Sequence, residues 1–284
     1  MKINDKIGIV CCSNGLQNES QNKINLLKNT LIQLGLEPVF SKYIYEKEMI
    51  FNDCGKYRAK ALMDFYQNEE IKAVFDISGG DIANEVLSHL NFEIIKRSHK
   101  LFWGYSDLTT IINAIYAKTE NKSVLYQIRN LISQDSKMQV NNFSNTFFQN
   151  KEDLYSFNYE FIQGDYMQGI VVGGNIRCLL KLAGTEYWPC MDNKILLLEA
   201  RSGTVSKMIT YLSQLKQMGV FEKINGIILG TFTEMENLSC VPAMTELVRA
   251  YVNDDLPIIK TNEIGHGYNS KAIIIGKMAE FVKY

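Results

Sequence analysis

Three polar residues stand at the ends of apolar runs in this chain. Ser106 follows "KLFWGY", Glu199 closes "NKILLLE", and His266 lies between glycines in "NEIGHGYNS". A serine hydroxyl attacks poorly until a base takes its proton, and an imidazole has a suitable affinity for that proton near neutrality. The base needs a carboxylate to fix its tautomer and to stabilise the imidazolium. In the order Ser…Glu…His, the three types would supply a nucleophile, an orienting carboxylate and a general base. That is the equipment of acyl transfer, provided folding brings them together.

Each residue also has an ordinary structural account. Serine is a favoured helix N-cap, and Leu108, Ile111, Ile112 and Ile115 give helical spacing just after Ser106. The second glycine of a G-x-S-x-G elbow is missing, because Leu108 occupies its place. Glu199 would serve as a solvated strand end or as a cap for a helix near Thr204. His266 would serve as a turn residue, while His89 and His99 read as surface residues. Two backbone donors favour the chemical reading. The N–H of Asp107 lies at a helix start, and Gly79 and Gly80 let a second N–H approach from the neighbouring strand end.

The elements that must position these groups alternate. "KIGIVCC", "EPVFSKY", "IKAVFDIS" and "KLFWGYS" read as strands. Helical patterns over 24–34, about 55–67, "DIANEVLSHL" and 108–115 lie between or after them. The alternation predicts an α/β fold with a parallel sheet covered by helices, its ligands gathering at the carboxyl ends of the strands. "SGGD" (78–81) and "GYSD" (104–107) belong at those ends. Residues 136–160, rich in Asn, Ser and scattered aromatics, read as a linker with some helix. They separate an N-terminal domain (1–135) carrying Ser106 from a smaller α/β domain (161–284) carrying Glu199 and His266. In the second domain, "GIVVGGN", "KILLLEA", "INGIILGTF" and "KAIIIGKMAEF" are apolar runs, and "VVGGN" would either turn tightly or cradle an anion.

Composition excludes several classes. With 46% hydrophobic and 21% charged residues and a net charge of −1, the 284-residue chain has core material and no global field for nucleic acid. No apolar run approaches the roughly 18 residues of a membrane span, and the N-terminal stretch reads as a first strand rather than a signal peptide. Cysteines 11, 12, 54, 178, 190 and 240 have neither metal-ligand spacing nor the density of a disulfide scaffold. They predict reduced thiols in a cytoplasmic protein without a bound metal.

Taken together, "ISGGD" (77–81), "KLFWGYSDLT" (100–109), "GIVVGGNIRCLLKLAGTEYWP" (169–189), "KILLLEA" (194–200), "GVFEKINGIILGTF" (219–232) and "IGHGYNSKAIIIGKMAEF" (264–281) resemble the LD-carboxypeptidase family of serine peptidases, which includes the microcin C self-immunity proteins. The resemblance implies a flavodoxin-like N-terminal domain, a mixed α/β C-terminal domain, a homodimer and no cofactor. It implies Ser106 as nucleophile, Glu199 as orienting carboxylate and His266 as base, with Gly80, Asp81 and Asp107 at the oxyanion hole. The implied substrate is a small peptide, a cytoplasmic muropeptide tetrapeptide losing its terminal D-alanine, with Arg201 as a candidate for its carboxylate. One rival is an aminoacyl-nucleotide conjugate cleaved as by the immunity proteins, with aromatics of 143–161 stacking on the base. Another is a non-catalytic ligand-binding protein. Three segments depart from the family pattern: "CCSNG" after the first strand, "LYQIRN" (125–130) where Gly-Pro is expected, and Ala200-Arg201 where an acidic residue often follows the glutamate.

Overall fold

The computed structural model describes residues 1–45 and 54–283. Its strands are β1 (Lys6–Val10), β2 (Glu37–Phe40), β3 (Ile71–Asp76), β4 (Leu101–Gly104), β5 (Ser123–Leu125), β6 (Glu160–Gln163), β7 (Tyr166–Asn175), β8 (Lys194–Ala200), β9 (Gly226–Phe232), β10 (Ile258–Lys260), β11 (Ile273–Ile275) and β12 (Met278–Val282). The helices are α1 (Gln21–Gln33), α2 (Cys54–Gln67), α3 (Phe92–Arg97), α4 (Thr109–Thr119), α5 (Ser136–Phe148), α6 (Ile176–Leu180), α7 (Val205–Gln217), α8 (Thr233–Asn237) and α9 (Met244–Tyr251).

Among the described residues these strands form two six-stranded sheets. The first has the order β11-β5-β4-β3-β1-β2, parallel except for β11. Without β11 it is the flavodoxin-like order 2-1-3-4-5. The second runs β12-β7-β8-β9-β10-β6, with parallel β7 to β10 and an antiparallel strand at each edge. The chain is thus α/β, with a flavodoxin-like N-terminal sheet and a mixed C-terminal sheet. Interior strands such as β1 and β9 are buried almost throughout, because helices or the other half of the chain cover both faces. At the edge, β2 alternates exposed and half-buried residues.

The apolar run "KAIIIGKMAEF" turns out to be two strands in different sheets. β11 pairs antiparallel with β5, the backbone turns at Gly276 with φ +84°, and β12 pairs with β7. The end of the chain therefore stitches both sheets together. Residues 136–160 contain α5, whose Phe143 and Gln139 are wholly buried. "DIANEVLSHL", expected as one helix, is a 3-10 turn over Ala83–His89. A separate helix, α3, begins after it, because the Asn91 side chain accepts the N–H of Glu93 and Ile94 and caps a new start.

Helix α4 is buried on nearly every side because it lies between the sheets, against β4, β5 and β7. Asn113 fixes the contact. Its amide donates to Gly173 O (2.9 Å) and its Oδ1 accepts Gly173 N–H (2.8 Å). A Cβ on Gly174 would come within 2.8 Å of Thr109 Oγ1, so only glycine allows this approach. Asn175 N–H is donated to that same Thr109 oxygen (3.0 Å). The N–H groups of "VVGGN" at 173 and 175 are thus spent on docking helix to sheet and do not cradle an anion.

Candidate active site

The carboxyl ends of both sheets meet around Ser106. After β4, Tyr105 is extended (φ −156°) and Ser106 has φ +55°, a left-handed conformation that non-glycine residues seldom adopt. Such strain costs on the order of 1–3 kcal/mol and persists only where the surroundings fix it. Two constraints are visible here. Tyr126 N–H is donated to Gly104 O (2.8 Å), and Leu108 packs where a Cβ on Gly104 would lie. The Ser106 hydroxyl makes no cap to the helix; its Oγ lies 3.2 Å from His266 Nε2.

On its other side, His266 Nδ1 is 2.6 Å from Glu199 Oε2. Glu199, at the end of β8, is fully buried, and its second oxygen accepts from Asn175 Nδ2 (3.0 Å) at the adjacent end of β7. A carboxylate at this distance assigns the neutral ring's proton to Nδ1, leaving Nε2 free to accept from the serine. The imidazole is held from three directions. Its backbone N–H is donated to Thr231 Oγ1 (3.2 Å) at the end of β9. The Tyr105 ring packs against it with centroids 4.5 Å apart. The loop beyond it is tied down by the Gln139 amide, which donates to Tyr268 O (2.7 Å) and Ser270 O (3.0 Å).

Around the nucleophile's turn, the Asp107 carboxylate is fully buried yet satisfied. It accepts from Ser13 Oγ (2.7 Å) and Ala83 N (2.8 Å) and forms an ion pair with Lys181. Gly80 has φ +133°, and a Cβ there would collide with the Asn14 side chain. Asp81 N–H is donated to Asn14 Oδ1 (2.9 Å), which commits one of the three backbone donors expected for an oxyanion. The Asp81 carboxylate pairs with Arg177, and that hydrogen bond holds it below the ordinary carboxylate range. The same guanidinium donates to Gly80 O (3.2 Å). The turn is thus braced by residues of both halves.

Sequence reading missed Asn14, Ser13, Gln139, Asn175, Arg177, Lys181 and Thr231. Each acts through a contact distant in sequence. Asn175 alone left a trace, as a polar residue ending an apolar run beside the one that ends in Glu199. Arg201 follows Glu199 by two positions, is exposed, and its side chain has no hydrogen bond or ion pair among the described residues. His89 and His99 are exposed, far from this chemistry in role. The aromatics of 143–161 pack on protein. Phe143, Phe147 and Tyr155 gather on Phe75 and Trp103, while Phe157 and Tyr159 pack on Phe281. Among the described residues, no cluster of His, Cys, Asp and Glu could hold a metal ion, and no helix is long and apolar enough to cross a membrane.

Comparison with known proteins adds an independent line. Residues 7–126 match the LD-carboxypeptidase N-terminal domain and residues 168–281 the LD-carboxypeptidase C-terminal domain. A putative carboxypeptidase of Treponema pallidum is 24% identical, covering 98% of this chain and 90% of that protein. A probable murein peptide carboxypeptidase of Bacillus subtilis is 25% identical, over 88% of this chain and 81% of its own. The structure of MccF in complex with glutamyl sulfamoyl guanosine superposes with a TM-score of 0.85, at 20% identity, over 99% of this chain and 93% of that one.

Proposed function

The chain belongs to the LD-carboxypeptidase family, and from that premise we propose that it is a serine hydrolase removing the terminal D-alanine from muropeptide tetrapeptides. The observation that supports this most is the continuous chain Ser106 Oγ, His266 Nε2, His266 Nδ1, Glu199 Oε2, with contacts of 3.2 and 2.6 Å on a strained serine. Ser106 attacks the scissile carbonyl as His266 Nε2 takes its proton, and the developing oxyanion draws on the N–H groups of Asp107 and Gly80. Asp81 contributes by fixing the turn, since its own N–H is committed. His266 returns the proton to the leaving amine as the C–N bond breaks. Water, deprotonated by the same nitrogen, then releases the acyl group from Ser106. Glu199, hydrogen-bonded to Asn175 and the imidazole, orients the ring and stabilises the imidazolium. Arg201 receives the carboxylate of the leaving residue.

Action in the cytoplasm and a homodimeric state belong to the same proposal. A second reading, cleavage of an aminoacyl-nucleotide conjugate, draws on the likeness to MccF bound to glutamyl sulfamoyl guanosine. The likeness to a probable murein peptide carboxypeptidase supports the peptide reading in preference to it. The test is D-alanine release from the tetrapeptide by wild type and Ser106→Ala, alongside turnover of an aminoacyl-sulfamoyl adenosine. Release abolished by Ser106→Ala is the expected result. Equal release by both proteins removes the mechanism, and turnover of the nucleotide conjugate alone replaces the substrate.

A further inference from the structure

Arg58 and Asp76 are buried charges that no step of the proposed mechanism uses. Burying a charged group costs several kcal/mol unless hydrogen bonds satisfy it, and both find theirs on residues 12 and 13, just past β1. Asp76, the last residue of β3, accepts Cys12 N–H (2.6 Å), and its other oxygen accepts the Ser78 N–H (2.7 Å) and hydroxyl (2.6 Å). That hydroxyl oxygen in turn accepts Ser13 N–H (3.0 Å). From the other side, one guanidinium nitrogen of Arg58 donates to Cys12 O (3.0 Å) and Ser13 O (2.7 Å). Cys54 O (3.0 Å) and an ion pair with Glu85 fix the rest of that guanidinium. All four backbone polar groups of Cys12 and Ser13 therefore have side-chain partners.

Two side chains leave this anchored segment towards different turns. Ser13 Oγ, 3.4 Å from Asn14 Oδ1, donates to Asp107 Oδ2 (2.7 Å) on the nucleophile's turn. Asn14 bridges to Gly79 and accepts Asp81 N–H through Oδ1 (2.9 Å). It also fills the space beside Gly80, where a Cβ would lie 1.9 Å from that same oxygen. A segment held at every backbone group thus spans the gap between the turn of Ser106 and the glycine turn. On the hydrolase reading, these are the two turns that lend Asp107 N–H and Gly80 N–H to the oxyanion. Two donors serve one oxygen only when their separation and direction are set before the reaction.

We propose that Asn14 is a positioning residue for the oxyanion hole, fixing the turn at 79–81 relative to the nucleophile from a base anchored by Arg58 and Asp76. This role rests on the hydrolase reading for its chemistry. It falls to a residue of "CCSNG", one of the segments that depart from the family pattern. Among the described residues Asn14 makes no hydrogen bond to Ser106 or His266, so it acts through the backbone of the glycine turn.

The experiment compares wild type, Asn14→Ala and Asn14→Asp, with thermal melting to check each fold. Alanine removes the acceptor and the packing beside Gly80, whereas aspartate keeps an acceptor of the same shape. Amide hydrogen exchange over residues 77–82 reads the turn itself and needs no substrate. Faster exchange there in Asn14→Ala, returned towards wild type in Asn14→Asp, is the expected result. In D-alanine release from the tetrapeptide, Asn14→Ala should lower kcat about tenfold or more with KM within about twofold. That is a part of the roughly 100- to 1,000-fold effect of losing a whole oxyanion donor. Fluorophosphonate labelling of Ser106 should slow in parallel, because the phosphonyl oxygen uses the same donors. Exchange unchanged by Asn14→Ala, or kcat and labelling unchanged in the folded variant, overturns the positioning role. So does a raised KM at constant kcat, which would make Asn14 a substrate contact. Wild-type protein that neither labels nor releases D-alanine removes the hydrolase reading, and the exchange result then still decides whether Asn14 fixes the turn.

Discussion

Lys181 and Asp107 form an ion pair across the two halves of the chain, immediately beside Ser106, and the carboxylate is wholly buried. The lysine also donates to Asp81 O (2.6 Å), so one ammonium braces both the nucleophile's turn and the neighbouring glycine turn. Removing one partner of such a pair leaves a buried charge without compensation, whereas removing both can be nearly neutral. Lys181→Met is therefore expected to destabilise the fold by about 3 kcal/mol or more, read as a lowered denaturant midpoint. Adding Asp107→Asn should recover part of that loss. A Lys181→Met protein as stable as wild type would show that the pair carries no weight.

Gln139 is expected to position the base rather than to react. It is fully buried, accepts the Tyr126 hydroxyl (2.9 Å) and donates twice to the loop bearing His266. Gln139→Leu orphans that hydroxyl and two carbonyls, so a loss of about 2 kcal/mol or more in stability is expected. If the loop then drifts, kcat falls while KM changes little, and this split separates positioning from simple destabilisation. Unchanged kcat in the folded variant would rule the role out.

Glu199→Gln tests the tautomer argument. The amide side chain can present an N–H to His266 Nδ1, which places the ring proton on Nε2 and removes the acceptor that faces Ser106. Turnover is expected to drop by roughly 10⁴-fold with little change in KM. The rate of fluorophosphonate labelling at Ser106 should fall in parallel. A drop below about tenfold would mean that the carboxylate does not set the ring's state.

Thiol reactivity should follow burial. Cys11, Cys12 and Cys178 are buried, and desolvation pushes each thiol well above its ordinary range, whereas Cys190 is exposed. The thiolate is the reactive form, so iodoacetamide at about pH 8 should modify Cys190 in the native protein and leave those three until denaturation. Peptide mapping of the alkylated sites before and after unfolding reads this directly. Native modification at Cys12, which lies beneath the Asp76 carboxylate, would contradict the packing around β1.

Much of the framework was legible because strands and helices announce themselves through local periodicity. Leu108, Ile111, Ile112 and Ile115 marked α4, and the apolar runs ending at Gly104 and Glu199 marked β4 and β8. The roles of Ser106, Glu199 and His266 could be suggested from chemical type and position at strand ends. Periodicity could not divide "KAIIIGKMAEF" between two sheets, since a run of isoleucines looks the same in either. Nor could it show that "VVGGN" serves the close approach of α4, because that depends on Thr109 and Asn113, about 60 residues away.

By itself, then, the order of residues determined which segments become strands or helices and which reactive groups stand at their ends, since each is set by neighbours along the chain. Only the docking of the two sheets decided that Ser106 meets His266 and that Lys181 neutralises Asp107. Those contacts join distant segments, and burial turns them from weak surface attractions into interactions that steer a proton or hold a turn in place.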